Sequence, residues 1–147
     1  MRVIDVTVIG TEPPCPRCDL LARLVEEVTS SEAEVRLAHY AFDDLEAVAL
    51  GKRLGRKVGT AKHVAKAANI TMDWDAVYGL IERNKAAAGP DCRPADMWTP
   101  ELDSMLEPCQ RAADSVGYLM TPVLFVNGEI KHHGSVPSRD ELAAYLS

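Results

Sequence analysis

The stretch that decides the fold reads VIDVTVIGTEPPCPRC and covers residues 3–18. It begins with β-branched, almost wholly apolar residues that end at Gly10, a pattern typical of a buried strand. A proline-rich loop follows, and from Pro16 onward apolar residues recur at helical spacing. Proline suits the first turn of a helix, where its missing N–H needs no partner. The stretch therefore predicts a strand and a helix that meet at the Cys-Pro-Arg-Cys motif of residues 15–18.

A second set of local signals lies at the carboxyl end. Residues 123–126 form a short apolar run, and Asn127-Gly128 behind it is the strongest two-residue hairpin signal. Residues 129–133 then provide the returning strand. Ser138 and Glu141 form a capping box that predicts the start of a terminal helix. This end of the chain is therefore expected to fold as strand, strand and helix.

The middle of the chain has helical character. Residues 35–42 complete a β-α-β unit, and helix starts are expected after Asp43 or Asp44, Thr60, Asp73 and Thr99. Pro108 is expected to break the last of these helices, so that residues 108–116 form a separate segment. We interpret residues 1–147 as one domain. Its frame is 1–42 and 120–147, and about 43–119 form a helical insertion.

Composition narrows the class of function. The formal net charge is −6 and the basic residues are scattered, which argues against nucleic acid as a partner. No apolar run approaches the roughly 20 residues that a membrane span requires. The first residues enter a strand pattern directly, without the features of a secretory signal, so a cytoplasmic location is expected. Cysteines in a reducing compartment are more often catalytic or metal-binding than structural.

The paired cysteines carry the clearest chemistry. Two cysteines three residues apart at a helix start can form a disulfide, and the helix end favours a thiolate on Cys15. The neighbouring cation of Arg17 favours the same thiolate. Cys15 is therefore predicted to be the nucleophile and Cys18 the thiol that resolves a mixed disulfide. The alternative is half of a zinc site, because Cys-x-x-Cys is also a zinc-binding half-motif.

The chain resembles the small glutaredoxin-like thioredoxins of archaea and anaerobic bacteria. The likeness rests on VTVIGT before CPRC, and on TPVLFVNGEIK from residue 121 followed by GSVPS from residue 134. It implies an α/β thioredoxin fold, β-α-β then β-β-α, with a redox-active Cys15 and Cys18. The long insertion before the second half is similar to the layout of DsbA-like disulfide oxidoreductases. Ile9 stands where thioredoxins proper carry a buried aspartate.

The resemblance also implies a cis peptide bond before Pro122, facing the cysteines. Such bonds are nearly confined to proline, and an ordinary trans proline that opens a strand is the alternative. The backbone of Thr121 is then expected to be free to bind an extended substrate. Thr121, Pro14 and Arg17 are the residues we expect at the substrate.

Two further cysteines leave several interpretations open. Cys92 lies in an expected loop, and Cys109 follows Pro108 at an expected helix start that would favour its thiolate. They could form a second redox pair, act independently or bind a metal, because sequence does not give their separation.

The function predicted from these features is thiol-disulfide exchange with a client protein. The electron donor is not specified by the sequence, and no cofactor and no dedicated metal site are expected. The alternative is a metal or metalloid carrier that uses Cys15 and Cys18 as thiolate ligands. A third interpretation is an inactive interaction module, which the retention of both cysteines and of Thr121-Pro122 argues against.

Overall fold

The computed structural model describes residues 2–12, 15–29 and 33–147. Its strands and helices, in chain order, are β1 (Arg2–Gly10), α1 (Pro16–Val28), β2 (Ala33–Ala41), α2 (Leu45–Arg53), β3 (Lys57–Gly59), α3 (Ala61–Ala68), α4 (Trp74–Ala88), α5 (Pro100–Ala113), β4 (Tyr118–Met120), β5 (Val123–Val126), β6 (Glu129–His133) and α6 (Arg139–Leu146). The protein is a mixed α/β fold. Within the described ranges, no helix has the length and apolar character needed to cross a membrane.

The main sheet has four strands in the order β2-β1-β5-β6. β1 pairs with β2 in parallel and with β5 antiparallel, and β5 and β6 form an antiparallel hairpin. β1 lies inside the sheet; one of its faces is buried along the strand, and the other is buried only near Gly10. Val6 and Val8 pack with α1 and α6, whereas Ile9 packs on the other side with Ala47 of α2. This central position accounts for the nearly continuous apolar sequence of the strand.

The signals at the two ends of the chain are confirmed. α1 begins at Pro16. The hairpin residues Asn127 and Gly128 both have positive φ, as the tight turn requires. Ser138 and Glu141 make both hydrogen bonds of the capping box at the start of α6.

In the middle segment, Asp44, Thr60, Asp73 and Thr99 each stand immediately before a helix, as expected. A second, two-stranded sheet was not expected there. Its strands are β3 and β4, which pair in parallel from Lys57 opposite Tyr118 to Gly59 opposite Met120. Strands of three residues show too little alternation to be recognised from sequence. The insertion is therefore not wholly helical.

The expected break at Pro108 is wrong. α5 runs without interruption from Pro100 to Ala113 and carries Pro108 within it. One face of the helix buries Leu102, Leu106 and Cys109, each at most 5% exposed. A proline inside a helix costs about 3 kcal/mol, and each fully buried leucine contributes about 1.5–3 kcal/mol. Burial of this face is thus sufficient to keep the helix continuous.

The insertion has its own apolar core and returns to the frame at α1. The core is formed by α3, α4 and α5, joined by Met120 of β4. A short 3-10 turn, Pro94–Met97, lies against α1. The Ala95 N–H donates to the Asp19 carboxylate at 2.8 Å, and Arg23 forms an ion pair with Asp96 at 3.1 Å. The insertion is therefore attached to the helix that carries the cysteine motif.

Candidate functional site

The structure brings the two motif cysteines together at the start of α1. Cys15 is the N-cap residue, and its Sγ accepts a hydrogen bond from the Cys18 N–H at 3.4 Å. The Sγ atoms of the two free thiols are 2.8 Å apart and hydrogen-bonded. Cys15 is half-buried, whereas Cys18 has no exposed surface. One thiol is thus accessible to a substrate, and the other lies directly behind it.

The two thiols differ in acidity. The hydrogen bond from the Cys18 thiol lowers the pKa of Cys15 from its ordinary value of 9.0 to about 6, although burial opposes this shift. The Cys18 backbone N–H and the positive charge of Arg17 also lower the pKa of Cys15. The pKa of Cys18 is raised well above 9.0, first because Cys18 donates that hydrogen bond and then because it is buried. Near neutral pH, the pair therefore holds a thiolate on Cys15 and a thiol on Cys18.

Arg17 lies inside the protein, where it is 5% exposed. Its Nε donates to Asp103 of α5 at 2.6 Å, and its Nη1 donates to the Thr121 carbonyl at 3.3 Å. Its Nη2 donates to the carbonyl of Gly134. The other carboxylate oxygen of Asp103 accepts the Val136 N–H at 2.9 Å. Arg17 thus adds charge near Cys15 and connects three segments of the chain.

The expected cis bond before Pro122 is confirmed. The expectation that the Thr121 backbone is free is wrong in this conformation. Its N–H donates to the carbonyl of Gly59 in β3 at 2.9 Å, and its carbonyl accepts from Arg17. The reason is the unexpected parallel pairing of β3 with β4, which continues to Thr121. Pro14, another residue expected at the substrate, lies outside the described residues.

The other two cysteines lie apart from the motif in sequence. Cys92 is half-buried in the turn between α4 and α5, and Cys109 is fully buried in the middle of α5; both are free thiols. The expected helix-start position of Cys109 is wrong, because α5 begins at Pro100. Burial raises the pKa of Cys109 instead of lowering it. A second redox pair stays one of the three interpretations of these cysteines.

One residue near the motif was not recognised from the sequence. The Nε2 atom of His39 in β2 is buried and has no hydrogen-bond partner. A Cβ atom added to Gly10 would stand 3.1 Å from this nitrogen and 2.5 Å from the Cys18 Sγ. His39 and Cys18 therefore both border the space that glycine leaves open. Pairing of β1 with β2 at the end of the strands brings the two residues to this space, and no local sequence signal marks it.

A cavity of about 230 Å³ opens beside Cys15. Its walls come from the start of α1, from α3, α4 and α5, and from Thr121. Most of the side chains that line it are apolar, and they include Trp74, Leu102 and Leu106. The insertion thus supplies most of the surface that a molecule bound at Cys15 would contact.

We predict that Cys15 is alkylated by iodoacetamide with a midpoint near pH 6. Its reactivity should fall as the pH drops through this value, because protonation removes the thiolate. Peptide mass mapping at each pH would give the curve for each cysteine. In the Cys18→Ala variant the main stabilising hydrogen bond is absent, so the midpoint should rise toward 9.0. A wild-type midpoint already near 9.0 would contradict the assignment.

We also predict that Asp103→Ala lowers the free energy of unfolding by about 3–5 kcal/mol, since it leaves the buried Arg17 charge without its partner. Urea denaturation would measure the loss. Glu107→Ala on the same helix is the matched control. Its ion pair with Arg111 is exposed, so the control should lose no more than about 0.5 kcal/mol. Equal losses in the two variants would refute the structural role of Asp103.

In the residues that the structure describes, no group of three or more histidine, cysteine or acidic side chains is placed to hold a metal ion. The chemistry that the site offers is that of a thiolate, a second thiol in contact with it and a buried histidine nitrogen near the second thiol.

Comparison with models of protein families, with curated proteins and with solved structures finds no match.

Proposed function

We propose that this protein is a thiol-disulfide oxidoreductase of the thioredoxin type, which exchanges disulfides with a client protein through Cys15 and Cys18. The observation that carries the proposal is the 2.8 Å contact between two thiols whose pKa values move in opposite directions. Such a pair combines a nucleophile with a resolving thiol, which are the two groups that disulfide exchange needs.

The order of elements supports the proposed fold family. A β-α-β unit and a β-β-α unit share one mixed sheet, and the cysteines lie at the start of the first helix, directly after the first strand and its loop. A cis proline immediately precedes the strand that pairs with β1. The insertion then stands between the two units, as in the DsbA-like layout.

The reaction takes place in two exchanges. The Cys15 thiolate attacks one sulfur of the substrate disulfide, forms a mixed disulfide with it and expels the other sulfur as a thiolate. Cys18 then loses its proton and attacks Cys15 Sγ, which forms the Cys15–Cys18 disulfide and releases the second substrate thiolate. Two electrons pass from the protein to the substrate. A dithiol donor must return them before the next cycle.

Loss of the Cys18 proton is the difficult step, because burial keeps the pKa of this thiol raised after Cys15 has entered the mixed disulfide. We assign the proton to His39. Its buried Nε2 has no hydrogen-bond partner, and both it and the Cys18 sulfur border the space beside the Cα of Gly10. An imidazole nitrogen is a suitable acceptor near neutral pH. Ile9 stands where thioredoxins proper carry a buried aspartate, and it has no polar atom that could accept a proton. His39 would accept the Cys18 proton in its place.

The alternative function is a metal or metalloid carrier with the same two thiols as ligands. The close contact between the two Sγ atoms is compatible with their binding one metal or metalloid ion together, as well as with a disulfide. Further ligands would have to come from the bound species or from a partner, since no third ligating side chain joins the pair in the described ranges. Metal analysis of protein purified without a chelator separates the two functions: a stoichiometric metal or metalloid on Cys15 and Cys18 supports the carrier.

We predict that Cys18→Ser traps clients as mixed disulfides on Cys15, because the resolving thiol is absent. The variant would be exposed to an extract, and captured proteins would be released with dithiothreitol and identified. Cys109→Ser should capture nothing, because it keeps the resolving thiol, and the Cys15→Ser/Cys18→Ser double variant controls for non-covalent binding. Equal capture by the double variant would show that Cys15 is not the reacting group.

We predict that His39→Gln slows the second exchange by roughly a hundredfold, the lower end of the effect of removing a positioned base. A mixed disulfide preformed on Cys15 would be followed by the release of its thiol. The first exchange, measured in the Cys18→Ser background, should change by less than about twofold, because this exchange requires no proton from Cys18. An equal loss in both exchanges would indicate a structural role for His39.

A further inference from the structure

The walls of the cavity beside Cys15 suit an apolar group. Trp74, Val77 and Tyr78 of α4 stand on one side, and Leu102 and Leu106 of α5 on another. The volume of about 230 Å³ exceeds the roughly 150 Å³ that holds a benzene molecule in an engineered protein cavity. A single ring with one or two small substituents therefore fits the space.

The charge at the cavity favours an anion. Lys62 and Arg17 are the charged side chains among the described lining residues. Arg17 is already paired with Asp103. The exposed Lys62 amine lies 4.7 Å from the ring centre of Tyr78 and 5.7 Å from that of Trp74, and it forms no ion pair with a carboxylate of the described residues. An acidic substituent on a bound ring would meet a positive charge at the mouth.

Recognition through an extended peptide backbone is blocked in this conformation. An approaching strand would need the N–H and the carbonyl of Thr121. These groups are bound to Gly59 and to Arg17 respectively. Side-group binding in the cavity is the route that remains open beside the Cys15 sulfur.

We propose that the thiol captured by Cys15 carries a ring-sized apolar group with an acidic substituent, which binds in this cavity while the mixed disulfide exists. The inference rests on the proposed function and specifies its substrate. The shared chemistry is an aromatic, anionic thiol, which is either a small molecule or a client cysteine flanked by an aromatic and an acidic residue.

Atoms and electrons balance without a further reagent. The Cys15 thiolate displaces one half of the substrate disulfide as a thiolate, and the ring-bearing half stays bonded to Cys15. Cys18 then gives up its proton and displaces that half. The products are the Cys15–Cys18 disulfide, two substrate thiolates and the proton that Cys18 gave up.

The test compares disulfides in the first exchange, with the Cys18→Ser variant. Two probes are aromatic: 5,5′-dithiobis(2-nitrobenzoate), which is anionic, and 4,4′-dithiodipyridine, which is neutral. The third probe is hydroxyethyl disulfide, which is small, neutral and has no ring. Each rate is divided by the rate of the same probe with N-acetylcysteine amide, a neutral thiol, which removes differences in leaving group without adding a charge of its own. The expected order is nitrobenzoate, then pyridine, then hydroxyethyl, with the ring raising the normalised rate by tenfold or more.

Two variants test the two halves of the argument. Lys62→Glu should lower the ratio of the nitrobenzoate rate to the pyridine rate by about fivefold or more, because an attraction becomes a repulsion. Lys66→Glu has the same charge change one turn along α3, outside the cavity lining, and should leave the ratio unchanged. Ala61→Leu should fill part of the cavity and reduce the preference for both rings. Circular dichroism would verify that each variant is folded.

Disulfide dimers of Asp-Cys-Phe and Ser-Cys-Ala distinguish the two sources. A preference for the first peptide as large as that for the nitrobenzoate supports a client cysteine, and a preference confined to the small probe supports a small thiol. Equal normalised rates for all probes, with Cys15 still reactive, would overturn the substrate class alone. No reaction of Cys15 with any disulfide would overturn the proposed function itself.

Discussion

The buried guanidinium of Arg17 is the contact on which the arrangement of the site depends. It extends from the residue between the two cysteines to a carboxylate of α5 and to the backbone on both sides of the hairpin. A buried cation is costly to desolvate and is tolerated only with charge and hydrogen bonds around it. The requirement to satisfy all of these donors fixes where α5, Thr121 and Gly134 lie relative to the start of α1.

The insertion is part of the site because of the same requirement. Asp103 comes from α5, and β3 provides the carbonyl that holds Thr121. The cavity next to Cys15 is built largely from α3, α4 and α5. In a frame of the two units alone, without the insertion, Cys15 and Thr121 would be open to solvent on this side. The insertion thus replaces an open, strand-like binding edge with a small apolar space, which changes what the cysteines can meet without changing the cysteines.

Much of the fold could be predicted from short sequence signals, because each depends on neighbours in the chain. Proline at the start of α1, the Asn127-Gly128 turn and the Ser138 capping box all belong to this class. The rest depended on distant partners. β3 and β4 have three residues each and form strands only because they pair with each other. Pro108 is tolerated inside α5 because one face of this helix is buried. His39 comes near Cys18 only after β2 pairs with β1.

The cysteine pair also differs between the growing chain and the finished protein. Arg17 and Thr121 are separated by 104 residues, so at about 5–20 residues per second a ribosome needs roughly 5–20 s to complete this distance. During that time α1 has neither α5 nor the hairpin to hold it, and a helix of its length is only marginally stable alone. The acidic thiol therefore belongs to the completed fold. We expect the nascent chain to carry two cysteines of ordinary acidity, with the reactive thiolate forming only once the site is assembled.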